Sequence, residues 1–478
     1  MKVARWKVVG LAGALALGYV ASADAAQIKV SDETWANFGL NMKIWYKNLD
    51  KRSNSTSDGG WTQNEFSIGN AKIYFTGQVN PAFQFYAEFD ANAAAGNTIL
   101  GEAGINLAFA KEFQVLAGLI RKPFTRAQLS SSYAFLTPQG YWRDPQSVLG
   151  PIRGALAGVG GEKDGGLMIH GDLAGGMFRY RVGVYNENRD AGGKLWIGSY
   201  NSTHTFGWFG VGTQRVYYED SNNYVDIKYM QTPGTKANNL KNFEWNARIE
   251  FTPTMLGFKP ESAATTTAKI GDTYLGSKDV LTIGLGYHAE THTPKATVVA
   301  SGKVEGEPFT ETLNLGDLKR KGWTIDAMFE KKFGNLVPNL QIGYISLDKT
   351  HFYYDYKKDA FKKGDSDIWY VTGQLLFDQV MGLGKPAIAF RYEKIKGDGQ
   401  YYYYDVNTDT EILKKDLTTE TFGLAFNYYI KGQAARISLG FDQTKYKDAL
   451  KYFLKQGSTS TKSEDSITDW YLYLQSQF

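Results

Sequence analysis

The sequence predicts an all-β fold: a transmembrane antiparallel β-barrel of about 16 strands with one loop folded inward. Three observations carry this expectation. Segments of about ten residues alternate apolar and polar, the length a tilted strand needs to cross a bilayer. The links between them alternate short and long, like the periplasmic turns and external loops of outer-membrane barrels. The chain also ends inside such a segment, on "DWYLYLQSQF", whereas most domains end in a poorly ordered tail.

The N-terminus comes first. "MKVARWK" carries Lys2, Arg5 and Lys7, an apolar run follows from Val8 to Val20, and Ala23-Asp24-Ala25 offers a small-x-small cleavage site. This three-part pattern predicts an export signal over 1–25, leaving 26–478 as the barrel domain. The apolar run is too short to span a bilayer comfortably. With the leader go three cations and one acid, so the formal charge falls from +4 to +2. A nearly neutral chain gives no reason to expect a nucleic-acid partner.

No other stretch approaches 18 consecutive apolar residues, which excludes a helical membrane protein. The mean hydropathy of −0.36 fits a barrel, because only every second strand residue faces lipid. The 31 Tyr and 11 Trp suit its aromatic girdles. Without cysteine there is no disulfide, thiolate metal site or lipidated anchor. Five histidines are scattered, and "HAETH" at 288–292 lies where a strand runs into a polar loop. Neither a metal nor any other cofactor is expected.

Strands are expected at 33–47, 62–77, 82–91, 101–111, 113–120, 153–172, 177–187, 242–251, 279–289, 321–332, 339–348, 366–378, 386–395, 417–430, 433–445 and 466–478. "AFQFYAEFDA" sets Phe83, Phe85, Ala87 and Phe89 against Gln84, Tyr86, Glu88 and Asp90. "NFEWNARIEF" sets Phe243, Trp245, Ala247, Ile249 and Phe251 against Glu244, Asn246, Arg248 and Glu250. The short links fall at Asn80-Pro81, Lys111-Glu112, 173–176 and Lys431-Gly432. The long ones are 48–61, 121–152, 188–241, 290–320, 349–365, 396–416 and 446–465. Residues 252–278 break the rule, being long where a short turn is due, and 223–230 is a rival strand. In a closed barrel the last strand pairs with the first, so the chain ends in ordered structure. The terminal Phe478 resembles the C-terminal signature of bacterial outer-membrane proteins that the barrel-assembly machinery recognises.

Sixteen strands enclose an aqueous channel. The loop that follows the fifth strand, 121–152, is expected to fold into it, because Phe124, Leu129, Tyr133, Phe135, Leu136, Tyr141 and Trp142 need a surface to pack on. This loop brings the cations Arg121, Lys122 and Arg126, with Arg143 and Arg153 at its far end, against the single acid Asp144. In "FRYRVGVY", Arg179 and Arg181 share one strand face. Arginine in lipid costs roughly 2–4 kcal/mol at the midplane, so the pair is expected to face the lumen. Its alternative role is structural, pairing with Glu88 or Asp90.

"FSIGNAKIYFTGQVNPAFQFYAEFD", "VLAGLIRKPFTRAQLSSSYAFL" and "RYRVGVYNEN" together resemble the phosphate-selective porin O and P family. The shared features are a G-x-x-K/R-x-P-F turn into the constriction loop, a following Ser-Ser and a strand ending in V-Y/F-N-x. The match is specific over 62–190 and architectural elsewhere. The resemblance implies a sixteen-stranded outer-membrane barrel, usually trimeric, with basic residues along the pore. Where the family often carries an arginine pair, this chain has Gly69-Asn70-Ala71-Lys72, leaving Lys72 as the one cation.

The expected function is that of a porin in the bacterial outer membrane: a water-filled channel for small hydrophilic solutes with a mild preference for anions, phosphate-like ones included. The anion path would comprise Lys72, Arg121, Lys122, Arg126, Arg143, Arg153, Arg179 and Arg181. A general diffusion porin is the alternative, reached if wall carboxylates neutralise these groups. Outer-membrane lipid, the barrel-assembly machinery and two further copies in a homotrimer are the expected partners. No Ser–His or Asp–His constellation marks an enzyme. The first strand begins too soon after the leader for the N-terminal plug of a hydrophobic-substrate channel.

Overall fold

Alternation with a period of two gives a strand two chemically different faces, and lipid leaves such strands one solution. Every backbone N–H and C=O must pair with a neighbour, so the sheet must close. The computed structural model describes residues 26–52, 61–92, 97–142, 163–186, 195–197, 207–209, 212–218, 223–231, 243–261, 269–304, 307–355, 358, 360–405, 410–451 and 466–477. The leader 1–25, Arg143, Arg153 and Phe478 lie outside the described residues.

The strands are, in order, β1 (Ala26–Lys29), β2 (Trp35–Arg52), β3 (Trp61–Asn80), β4 (Phe83–Asn92), β5 (Asn97–Ala108), β6 (Gln114–Arg121), β7 (Lys163–Leu173) and β8 (Phe178–Asn186). There follow β9 (Leu195–Ile197), β10 (Gly207–Phe209), β11 (Gly212–Tyr218), β12 (Asn223–Gln231) and β13 (Phe243–Phe251). The last eight are β14 (Val280–Val304), β15 (Glu307–Glu330), β16 (Leu336–Asp355), β17 (Ala360–Phe377), β18 (Lys385–Asp405), β19 (Thr410–Lys431), β20 (Ala435–Asp448) and β21 (Ser466–Gln477). Sixteen of these, β2–β8 and β13–β21, form one closed antiparallel wall. Closure is made by β21 on β2, from Asn41 opposite Gln477 to Asn48 opposite Trp470. The expected barrel and its strand number are thus what the chain adopts.

Along β13 the lumen face holds Glu244, Asn246, Arg248 and Glu250, all buried, while Phe243, Trp245 and Ile249 are exposed on the outer face. The same division runs through β15, where Trp323 and Ile325 point out and Thr324 and Asp326 are buried. On the lumen face a recurrent cross-strand pair sets a tyrosine opposite a glycine: Tyr86–Gly104, Tyr185–Gly166, Tyr370–Gly343 and Tyr471–Gly440. Each ring lies against its glycine, so that a Cβ there would overlap it. The aromatic covers backbone that a glycine leaves bare, and it does so without protruding far into the lumen.

Three expected long loops are corrected. The described residues of 290–320, 349–365 and 396–416 continue the strands, β14 paired with β15 up to Val304–Glu307, β16 with β17 up to Asp355–Ala360, and β18 with β19 up to Asp405–Thr410. The reason is solvent. The 25 residues of β14 run about 80 Å along the strand, or about 55 Å along the membrane normal at a 45° tilt. The hydrocarbon core takes only about 30 Å of this. Beyond it the outer face too meets water, the alternation weakens, and the backbone ladder persists unmarked in the sequence. The rival strand at 223–230 exists as β12, but it pairs with the outer part of β14, Tyr224–Lys303 to Gln231–Ala296, and not in the wall. The wall runs directly from β8 to β13. The expected strand at 153–172 is described only from Lys163 onward.

Placing a branched side chain under one of the lumen tyrosines tests this packing. Gly343→Val should displace the Tyr370 ring and cost about 1–3 kcal/mol of overpacking. The folded band in SDS gels should give way to the unfolded band at a lower temperature than in the wild type.

Candidate functional site

Two segments enter the lumen, one from each end. The first is the loop after β6. Its chain turns at Thr125, whose hydroxyl accepts the Gln128 N–H at 3.1 Å while the Gln128 side chain accepts the Thr125 N–H at 2.9 Å. This reciprocal cap starts a one-turn helix, Arg126–Leu129. Gly286 and Gly322 on the facing wall leave space for Phe124, since a Cβ at either would meet it. Phe124, Ala127 and Trp142 then join Ile345, Leu347 and Ile368 in an apolar cluster. The loop does pack on the inner wall, as its apolar residues required.

Beyond the helix the loop crosses the lumen. Wall side chains hold its carbonyls: Gln475 donates to Tyr133 O at 3.1 Å, Arg436 to Phe135 O at 2.7 Å and Asn427 to Leu136 O at 2.8 Å. The Trp142 N–H reaches Glu393 at 3.0 Å. Next to β21, on β2 and β3, the Tyr133 hydroxyl donates to Asn70 at 2.9 Å and Lys43 donates to Ser132 O at 3.0 Å.

The second segment is the misfit of the sequence, the connection between β13 and β14. Strands β13 and β14 lie where expected, so the connection is genuinely long. It folds inward from the turn side. Ile270 bridges to the first segment, its N–H donating to Leu129 O at 3.1 Å. Ser130 and Tyr141 donate to the two oxygens of Asp272, at 2.5 and 2.9 Å. Asn339 and Gln341 hold the Asp272 carbonyl, at 2.9 and 2.7 Å.

Arg126 joins the two segments. Its guanidinium makes a bidentate pair with Glu261, at 2.6 and 2.7 Å, and donates to Gly271 O at 2.7 Å. Both side chains are 1% exposed. Burial opposes both charges, but their mutual attraction outweighs it. The guanidinium pKa is held above its ordinary value and the carboxyl below. Asp272 differs: burial pushes its carboxyl up to about 6, only partly offset by Arg126 and its two hydroxyl donors.

Among the described residues, the other cations expected along the anion path are also paired; Arg143 and Arg153 lie outside them. Arg121 bonds Glu102 at 2.9 Å and the carbonyls of Gln128 and Ser130. Lys122 reaches Glu244 at 2.5 Å and Asp164 at 3.7 Å. Lys72 reaches Glu88 at 2.6 Å and Asp90 at 3.7 Å. Arg179 and Arg181 do face the lumen, but their partners are Asp172, at 2.7 Å, and Glu250, at 3.6 and 2.9 Å. Glu88 and Asp90 were the wrong acids because β8 is bonded to β7 and β13, far round the wall from β4. His288, from "HAETH", contacts Asn246 at 3.0 Å and Glu244 at 3.3 Å.

The lumen face least buried is the arc of β2 to β4. Asn37, Asn70, Tyr74, Thr76, Gln84 and Asp90 are half-buried there, whereas the lumen faces of β13 and β17–β21 are mostly buried. Two lysines reach this arc from outside it, Lys163 at the start of β7 and Lys269 from the second segment. They bond Glu102 at 3.1 and 3.0 Å and approach Glu88 at 3.9 and 3.4 Å. Each side chain is 20% exposed. With Lys72 and Arg121 they make four cations around Glu88, Asp90 and Glu102. Sequence reading missed Lys163 and Lys269. For Lys269 the signal available was the anomalous length of 252–278; nothing in the sequence marked Lys163.

The family model for phosphate-selective porin O and P matches residues 37–239. The chain is an outer-membrane porin. No curated protein matches its sequence. Among solved structures, the anion-selective porin from Comamonas acidovorans is 10% identical, with 93% of this chain and 100% of that chain covered and a TM-score of 0.45. The outer-membrane channel DcaP of Acinetobacter baumannii is 9% identical, with 94% and 99% covered and a TM-score of 0.45. OmpT of Vibrio cholerae is 11% identical, with 95% and 100% covered and a TM-score of 0.43. The family match takes in the first inward segment of this porin and ends before the second begins.

Two outcomes follow. Arg126→Ala leaves Glu261 buried without its partner, which costs about 3–5 kcal/mol. Planar-bilayer recordings should show a larger single-channel conductance as the second segment loses its anchor, and Glu261→Gln in the same chain should restore part of the stability. Asp272 supplies a pH dependence. Its folded pKa of about 6 lies above the ordinary 3.8. Its contribution is therefore complete below about pH 4 and lost as pH rises through 6. The temperature at which the barrel unfolds in SDS should fall between pH 4 and 7, and Asp272→Asn should flatten that fall.

Proposed function

We propose that this porin passes small hydrophilic solutes along the β2–β4 arc of its lumen and mildly prefers anions, phosphate-like ones included. The observation that carries the preference is the group of four cations around three carboxylates, with Lys163 and Lys269 keeping contact with water. Between low-dielectric walls such a local excess of charge dominates the field a passing ion meets. Lys72 and Arg121 add to that field from behind. Lys122, Arg126, Arg179 and Arg181 act mainly as anchors, each held against a carboxylate. Arg143 and Arg153 extend the same loop and remain candidates for the path. The porin is further proposed to be made with a cleaved leader, 1–25, to be inserted by the barrel-assembly machinery through its terminal Phe478, and to work in membrane lipid as a homotrimer. It transports and does not catalyse.

A general diffusion porin is the second reading. It is favoured by Arg179, Arg181 and Arg248 standing against Asp172, Glu250 and Asp326, three charges of each sign.

Reversal potentials under a salt gradient separate the two. The wild type should favour anions, less so as salt shortens the screening length below pore dimensions. Lys163→Gln with Lys269→Gln should abolish the preference or turn it cationic. A wild type without anion preference would establish the second reading.

A further inference from the structure

The turn side of the barrel is unevenly charged. Four successive connections on one arc, those after β13, β15, β17 and β19, carry Lys259, Lys331 and Lys332 and are flanked by the strand-end residues Lys385 and Lys431. The acids on this arc of the rim are Asp279 and Asp378. Asp378 is recessed, its side chain 8% exposed beneath Lys332 and Lys385, which both donate to it and hold its carboxyl below the usual range. On the remaining arc, from β1 to β8, Lys29 and Lys111 meet Asp32, Glu33 and Glu112. One half of the rim is therefore basic and the other is not.

The basic half also continues the lipid-facing surface. Outward apolar residues run down the strands to the turns without a polar gap, as at Phe377 and Leu336, which are 38% and 40% exposed. The turns themselves expose Leu256, Val380, Met381 and Leu383, between 56% and 69%. Lys331 lies over the Phe258 and Phe333 rings, at 5.6 and 5.8 Å. Apolar side chains that continue the lipid-facing band, with lysine heads at its edge, match the boundary between acyl chains and headgroups. They do not match a rim standing clear in water.

We propose that this arc binds anionic phospholipid of the periplasmic leaflet. The exposed apolar residues enter the acyl boundary, and Lys259, Lys331 and Lys431 take the headgroup phosphates. Lys332 and Lys385 tie the neighbouring turns together through Asp378. The binding rests on the outer-membrane reading and is independent of ion selectivity.

Native mass spectrometry of the detergent-purified porin tests it, with phosphatidylglycerol and phosphatidylcholine offered at equal concentration. The wild type should retain phosphatidylglycerol at least about fivefold better, the effect expected of even one lysine near an anionic surface. The variant Lys259→Gln/Lys331→Gln/Lys431→Gln should hold both lipids equally while keeping its conductance and heat-shifted gel mobility. Lys111→Gln, on the other arc, should behave as wild type. Equal retention by the wild type overturns the proposal. So does an equal loss on Lys111→Gln, or competition for the arc by a soluble peptidoglycan fragment. Intact conductance in the same samples separates such a failure from a failure of the porin reading.

Discussion

A backbone amide in hydrocarbon has no water to bond, and this constraint shapes the whole chain. It requires β21 to meet β2, and it makes an even-stranded antiparallel sheet the natural solution. Once the sheet is closed, side chains divide by solvent, and the polar half of every strand is turned inward. The lumen thereby collects charge, with Glu244, Arg248, Glu250, Asp326, Arg391 and Asp442 all buried there. What the interior does with that charge decides whether the barrel is a pipe or a filter.

Here the interior neutralises most of it locally. Arg126 and Glu261 form the central case, because their pairing also fixes how far two opposed segments penetrate. A buried ion pair of this kind contributes little net stability compared with apolar packing, but breaking it leaves a charge with nowhere to go. The pair thus serves position more than strength: it ties the second inward segment to the first. The same economy governs the tyrosines laid over Gly104, Gly166, Gly343 and Gly440, which line the wall at the thickness of a ring.

The wall was legible in the sequence where it lies in lipid, because there the environment enforces alternation. β13 was placed within a residue of its ends, and Arg179 and Arg181 were placed on the correct face. Legibility failed at both ends of the barrel for one reason. Above the membrane β14, β15, β18 and β19 keep their ladder with no apolar face to announce it. On the turn side, 252–278 breaks the alternation of link lengths without explanation because nothing local marks a segment that turns inward. Its determinants, Glu261, Asp272 and Lys269, find their partners on residues more than 100 positions away, such as Arg126, Ser130 and Glu88. Pairings between such distant positions leave no period to read. The loop cations were recognised as a group, but their partners were not, and the apparent excess at Arg121, Lys122 and Arg126 resolves into pairs.

The tall strands β14 to β19 carry one last consequence. They place a single sheet in two solvents, its lower half in lipid and its upper half in water. Ion pairs on the upper half, such as Lys362 with Asp355 and Lys396 with Asp416, lie in high dielectric and feel the salt of the medium. The lower half does not. One continuous ladder thus joins a weatherproof foundation to a weather-sensitive palisade, and changes in the external medium can loosen the rim of the channel while its lipid-embedded wall stays closed.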